Sequence, residues 1–378
     1  MYAAPNRRTR QRLAALDLPT PCIMRAPGEA SGMFASECAM DELAIACGLD
    51  PVELRIRNEP DVHPWSGLPW SSRNLVACLR DGARRFGWQS RDRTPRARRE
   101  TGWLVGTGVA SASYPVMRLP ASSATIRLGP DGCHTVFIAA SDLGTGTWTA
   151  LTQVAADALR VRVEDVELRI GDTDYPEGVG AGGSAGITCW GTAICAAADL
   201  LRDRLAAGAT VPPEGLEVTA DMPLNPYRDT YAMQEFGAQF AEVRVREDTG
   251  EIRVSRQLGV YAVGRVVNPK LARSQLLGAM TWGMSMALHE HSELDHRFGH
   301  VVNQDFATYH ISSNADVGSI EVHFLDEVDP YVNPMGTKGV GEIGIVGAAA
   351  AIANAVHHAT GVRIRDLPIT LDKLLPDR

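Results

Sequence analysis

The stretch Met335-Gly-Thr-Lys-Gly-Val-Gly-Glu-Ile-Gly-Ile-Val-Gly-Ala, residues 335–348, decides how the chain is read. Gly336, Gly339, Gly341 and Gly344 surround one carboxylate, Glu342. Glycine opens backbone conformations closed to other residues and lets a second group approach closely. Ile343 to Val356, rich in alanine, reads as a buried helix of small residues. A carboxylate at the mouth of such a helix sits partly out of water, which raises its pKa and suits it to take a proton near neutral pH. Two other readings compete. Glu342 could simply favour the positive end of the helix dipole. Gly339-Val-Gly-Glu-Ile-Gly344 also fits the spacing of a dinucleotide-binding loop, which must follow directly on a buried strand. The nearest strand-like run, Ile320–Leu325, is followed instead by Asp326-Glu-Val-Asp-Pro, and an acid inside a phosphate cradle would repel its ligand. That reading is rejected.

Working outward, 378 residues suffice for two or three packed modules. Hydrophobic content of 45% and charged content of 22% are those of a globular protein. A net charge of −8 argues against nucleic acid as a partner, since that needs a basic face. Ala348–Val356 is too short and small-sided for a membrane span, and the opening Met-Tyr-Ala-Ala-Pro-Asn-Arg-Arg lacks the apolar core of a secretory signal. No membrane association is expected, and a cytoplasmic location is, with the periplasm open only through co-export with a signal-bearing partner. Seven cysteines include no C-x-x-C pair and no zinc spacing, so reduced thiols are expected and no iron–sulfur ligand set.

Periodicity predicts a mixed α+β protein. Helices are expected over 33–47, after the Asp50-Pro51-Val-Glu53 capping signal, over 73–86 and over 274–289. Strands are expected over 104–112, 124–128, 135–140 and 166–170, with a hairpin from Phe240 through the turn Glu247–Gly250 to Ser255. The arginine-rich run 91–100 reads as an exposed connector. It divides the chain into 1–90, a linker at 91–102, and 103–378.

Three glycine-rich turns each run into a helix: Leu143–Thr147, Gly180–Gly186 and Gly336–Gly344. Free backbone N–H groups at a helix start form an anion or polar-ring site. One such turn is usually only a tight connection; three suggest a large polar cofactor gripped by backbone. His289-Glu-His291 is a poor metal site, because residues i and i+2 on a helix do not share a face.

Several segments resemble, in order, the molybdenum-cofactor subunit of the xanthine dehydrogenase/aldehyde oxidase family. They are Arg25-Ala-Pro-Gly-Glu-Ala-Ser-Gly, Met40-Asp-Glu-Leu-Ala, Asp50-Pro-Val-Glu-Leu-Arg, Gly144-Thr-Gly-Thr, Gly171-Asp-Thr-Asp, Gly182-Gly-Ser, Gly264-Arg-Val-Val-Asn-Pro and Lys338-Gly-Val-Gly-Glu-Ile-Gly. The wording of Gly144-Thr-Gly-Thr and Ala272-Arg-Ser-Gln looks closest to bacterial three-subunit aldehyde oxidoreductases. The resemblance implies an α+β molybdenum-cofactor-binding fold of mixed sheets and packed helices, with residues 1–90 the remnant of a first cofactor-binding domain and 103–378 the second. It implies a molybdopterin, usually the cytosine dinucleotide in bacteria, whose dithiolene holds the molybdenum, so the protein supplies no metal ligand.

By the same resemblance Glu342 matches the general base, which takes the proton of the attacking hydroxide. Arg25 matches an arginine beside the cofactor that can stabilise oxyanion charge; a salt bridge to Glu29 is the competing reading. Arg25 and Ala26, Gly144, Thr145 and Gly146, Gly183, Ser184 and Ala185, and Gly339, Val340 and Gly341 match cofactor contacts. The implied activity is oxidation of aldehydes or hydroxylation of a heteroaromatic carbon. Electrons would leave through an iron–sulfur subunit and an FAD subunit. Many family members carry Gln at Thr145, and others near Trp282, so hydrogen bonding to the pterin differs here. The family subunit also has a whole N-terminal half with a Gly-Gly-x-Phe-Gly motif that is not found in this sequence, so the chain looks like the second half only, whether from a split gene, a truncated reading frame or a fragment. A further chain supplying that half is expected, and its absence should leave apolar surface uncovered. The rival reading is a non-catalytic half-subunit that only binds partners or pterin.

Overall fold

A computed structural model describes residues 1–375. The first helix, α1, spans Glu29–Ala46 and starts four residues before the expected Met33, because Gly28 turns the chain in with φ 93°. It buries Phe34, Cys38 and Ala44, and also Glu37. That carboxylate accepts from Arg55 Nε (2.7 Å), Ser111 N (2.7 Å) and Tyr2 Oη (2.8 Å), so the buried charge is fully partnered. Helix α2, Pro51–Arg57, follows the N-cap Asp50, whose carboxylate accepts from Val52 N (2.9 Å) and Glu53 N (3.4 Å) as the capping signal foretold. Helix α3, Leu75–Phe86, ends at Gly87 in the left-handed region.

The strands β1 (Arg99–Glu100), β2 (Trp103–Pro115), β3 (Ser123–Leu128) and β4 (His134–Phe137) lead to α4 (Thr147–Leu159). Then come β5 (Val166–Arg169), α5 (Gly186–Ala206), β6 (Leu216–Asp221), and the long hairpin β7 (Gln234–Arg246) and β8 (Ile252–Ala262). Helix α6, Pro269–Leu288, begins five residues before the expected Ser274, because Asn268 caps it through Leu271 N (3.0 Å) with Pro269 in its first turn. The short pair β9 (Leu294–Asp295) and β10 (His300–Val301), β11 (Ser319–Phe324), α7 (Ile343–Val346) and α8 (Ala348–Thr360) complete the chain.

Two sheets organise these elements. One has the order β1-β2-β7-β8-β11, antiparallel except for the β8–β11 pair; the other has the order β5-β4-β3-β6, with β4 and β5 parallel. Helices α4 and α5 cover the second sheet, packing Leu151, Ala155, Trp190 and Ile194 on Ile126, Val136 and Val218. The first sheet is covered on both faces. Alternate residues of a strand point to opposite sides. Phe236, Ala238 and Phe240 meet Leu75, Leu79 and Phe86 of α3, while Ala241, Val243 and Val245 belong to the core that contains α8.

The alanine-rich run is explained by what lies under it. A Cβ on Gly106 of β2 would stand 2.2 Å from Ala355 O, and one on Gly108 would stand 2.2 Å from Ala351 O. Strand and helix backbones are nearly in contact, so glycine on one side and alanine on the other are steric requirements. The structure corrects the expectation of one continuous helix from Ile343. Gly347 divides it into α7 and α8, where the chain crosses so close to β2 and Gln239 that a Cβ would meet Gln239 Oε1 at 2.6 Å. It also corrects the estimate of apolar length. Ile343–Thr360 is long and apolar enough to cross a membrane by length and composition, but it is a core segment, almost wholly buried.

Candidate functional site

The loop before Glu342 is anchored from behind. Asn333 accepts from Met335 N (3.1 Å) and Thr337 N (3.2 Å) and donates to Thr337 O (2.9 Å), while Lys338 N donates to Val263 O (2.9 Å). The Lys338 ammonium is buried, 3.2 Å from Glu327 Oε1 and 3.6 Å from Asp329 Oδ2. Burial alone would raise the Glu327 carboxyl, but Lys338, Ser72 and the Gly264 amide outweigh it and hold it below its ordinary value. The loop is therefore fixed by a buried ion cluster at Lys338.

Glu342 itself is half-buried and held by two distant segments. Its Oε2 accepts from Ala26 N at 2.5 Å, and its own amide donates to Ser184 Oγ at 2.9 Å. Ala26 and Ser184 are both non-glycine residues in left-handed backbone, at φ 55° and φ 58°. Such residues cost roughly 1–3 kcal/mol each and persist only where the surroundings over-determine them. Among the described residues six non-glycine positions have positive φ, and two of them meet at this one residue, Ala26 at its carboxylate and Ser184 at its backbone amide.

Arg25 adds a cation. Its Nε donates to Gly341 O (2.5 Å) and an Nη donates to Gln275 O (3.2 Å) and Oε1 (3.3 Å). Burial lowers its pKa, partly countered by the nearby Glu342 charge. Neither Glu29 oxygen accepts from it, so the salt bridge considered from sequence is not formed, and Glu29 instead feels burial and the Glu342 charge, both of which raise its pKa. Gln275 closes the Ala272-Arg-Ser-Gln segment of the resemblance, but its place beside Arg25 becomes visible only once α6 is seen packed there.

The structure brings two of the three glycine turns together. Gly183 is at φ 59° with Met117 filling the space of its missing Cβ, Ser184 touches Glu342, and a Cβ on Gly339 would stand 2.4 Å from Ser184 Cβ. Ala185 is buried and leads into α5, and Val340 packs in the core cluster of Tyr114, Leu276 and Ile343. The third turn joins less directly. Gly146 packs on Leu271 of α6, one helical turn from Gln275. Its amides are also already used: Asp142 accepts from Gly144 N (2.9 Å) and Gly146 N (3.1 Å), and Thr145 Oγ1 lies 3.3 Å from the same carboxylate. The expectation of free N–H groups at this turn is corrected, because the chain's own carboxylate fills the anion position. Asp142 was overlooked although an Asp two residues before a Gly-x-Gly turn is a known capping pattern.

Apolar side chains flank these groups in water. Ile23 (79% exposed) and Met24 (61%) immediately precede Arg25, and Leu143 (71%) and Trp148 (47%) bracket the Gly144–Gly146 turn. Among the described residues no cluster of three or more His, Cys, Asp or Glu could hold a metal ion.

Comparison with known proteins identifies the family. Two models described as molybdopterin cofactor-binding domains match, one over residues 81–226 and 222–318 and the other over residues 1–59. The chain is 44% identical to the aldehyde oxidoreductase molybdenum-binding subunit PaoC of Escherichia coli O157:H7, over 99% of this chain and 55% of that one. It is 30% identical to the xanthine dehydrogenase molybdenum-binding subunit of the same organism, over 95% of this chain and 53% of that one. The fold superposes on the crystal structure of quinoline 2-oxidoreductase from Pseudomonas putida 86 with a TM-score of 0.82 at 25% identity, covering 92% of this chain and 52% of that one. The chain thus spans about half the length of the relatives it matches. With the family models covering more than half of its residues, the chain belongs to the molybdopterin cofactor-binding domain family.

Proposed function

We propose that this chain is the base-bearing half of a molybdenum hydroxylase subunit that oxidises aldehydes to carboxylic acids, or hydroxylates a heteroaromatic carbon with oxygen from water. The observation that carries the reading is the grip on Glu342 by Ala26 and Ser184, two strained residues from segments far apart in sequence. Strain kept around one residue is a recurring mark of functional sites.

The residues fit a pterin whose edges are held by backbone. A Cβ on Gly180, on Gly182 or on Gly144 would meet nothing within 4 Å, so a ligand can approach the chain there directly. Gly183, Ser184 and Ala185 would hold one edge of the cofactor, Gly339, Val340 and Gly341 another, and Arg25 with Ala26 would close the side next to Glu342. Gly144, Thr145 and Gly146 would offer the Thr145 hydroxyl and close backbone approach, with Asp142 keeping the turn rigid. When bound, the cofactor supplies the two-electron redox chemistry and the oxygen to be transferred. Glu342 would act as the base, accepting a proton on its carboxylate, and the fixed Arg25 cation would stabilise negative charge developing on a substrate oxygen.

The finer parts of the reading follow from the same assignment: the cytosine dinucleotide form of the cofactor, electron transfer to an iron–sulfur subunit and an FAD subunit, a cytoplasmic complex, and a division at residues 91–102 between a first and a second cofactor-binding domain. A further chain or segment would cover Ile23, Met24, Leu143 and Trp148. The test is to measure molybdenum and released cytosine nucleotide in the chain alone, then in the chain assembled with the N-terminal half and the partner subunits. Cofactor and aldehyde turnover in the assembly support the proposal. Cofactor retention without turnover would favour the non-catalytic half-subunit.

A further inference from the structure

Glu235 stands near the start of β7, and Tyr114 is its register partner on β2. Directly opposed residues of antiparallel strands project from the same face, so carboxyl and phenol are neighbours. Glu235 is 0% exposed and Tyr114 is 1% exposed. Among the described residues neither Glu235 oxygen nor the Tyr114 hydroxyl has a hydrogen-bond partner. The site lies directly against them. A Cβ on Gly339 would come within 2.1 Å of Glu235 Oε1, and Ser184, which accepts from the Glu342 amide, borders the same space.

An isolated ionised carboxylate in such a place is far more costly than a neutral acid. The groups facing it decide its state. Lys338 is the cation on that side, and its ammonium is already placed between Glu327 and Asp329. The Gly339 amide approaches the carboxyl without hydrogen-bond alignment. Glu342 is a like charge on the same loop. Burial first, with Glu342 adding to it, raises the Glu235 pKa well above the usual carboxylate range against the pull of Lys338 and Gly339. Tyr114 is shifted upward by burial and by Glu342, Glu29 and Glu235, so it remains a phenol.

We propose that Glu235 is a positioning residue that stands as a neutral carboxylic acid beneath the Gly339–Gly341 turn, so that it adds no charge of its own beside half-buried Glu342. When two carboxyls share one region, the environment sets which keeps the proton. Here the fully enclosed one keeps it. The inference deepens the general-base reading, because Glu342 must begin each cycle without its proton.

The protonated state has its own signature. Infrared difference spectra of the full chain at neutral pH should show the carbonyl stretch of a carboxylic acid in the wild type, absent from Glu235→Gln and retained in Glu342→Gln. A wild type without that band, or a band that survives in Glu235→Gln, overturns the proposal. Thermal unfolding across pH supplies a second reading. Because the native pKa is raised, the contribution of Glu235 is full below the unfolded carboxyl value of about 4.3 and is lost as pH rises. The Tm of Glu235→Gln should therefore rise relative to wild type between about pH 5 and pH 8; a difference that stays flat with pH contradicts the neutral acid. If the band behaves as expected while Glu342→Gln keeps full turnover in the assembled enzyme, the general-base reading fails and the neutrality of Glu235 stands.

Discussion

Ala26 donates its amide hydrogen to Glu342 Oε2 across 316 residues of sequence, and does so from a left-handed backbone conformation that alanine rarely adopts. The contact locks the segment before α1 to the loop before α7.

Ala26→Gly should relieve strain of roughly 1–3 kcal/mol while adding about 0.5–1 kcal/mol of chain entropy cost, leaving stability unchanged or slightly raised. Ala26→Val places a β-branched side chain at φ 55° and should destabilise by about 1–3 kcal/mol or more. Calorimetric unfolding of the two variants checks this. Equal losses in both would show that the φ angle is not what matters at residue 26.

Backbone contact between β2 and α8 makes a second prediction. Gly108→Ala drives a methyl into Ala351 O, which lies 2.2 Å from the new Cβ, and should cost about 1–3 kcal/mol or more. Gly278→Ala, on the exposed side of α6 with nothing within 4 Å, should stabilise by about 1 kcal/mol through helix propensity. Denaturant midpoints of the pair should move in opposite directions.

Asp50 links the α2 cap to acid stability. Burial tends to raise its pKa, but the Arg91 charge and hydrogen bonds from Arg91 (2.7 Å), Trp88 and Val52 hold it below the ordinary value. A lowered native pKa gives stability that is present above the unfolded value of about 3.9 and is lost as pH falls through the native one. Asp50→Ala should cost about 2–4 kcal/mol at pH 7 through loss of the cap and of the largely buried ion pair. The gap from wild type should shrink below about pH 4, as followed by urea unfolding at several pH values.

Much of this was legible from the residues. Asp50-Pro51 marked a helix start, Glu247–Gly250 marked the hairpin turn, and the alanine run marked a buried helix of small residues, because local chemistry decides each of those features. What sequence could not supply came from tertiary partners. Tyr114 and Glu235 sit in ordinary strand patterns and matter only through what the fold sets beside them. Asp142 took the amides that the Gly144–Gly146 turn was expected to offer a ligand. The break at Gly347 depends on Gln239 and Ser111 in strands more than one hundred residues away.

The most direct test of the account is the turnover of Glu342→Gln in the complex assembled with its N-terminal half and redox partners, with molybdenum content measured on the same sample. Loss of a general base predicts a fall in kcat of about 10²–10⁴-fold with molybdenum content unchanged. Turnover within a few-fold of wild type at equal molybdenum loading would contradict the role assigned to Glu342.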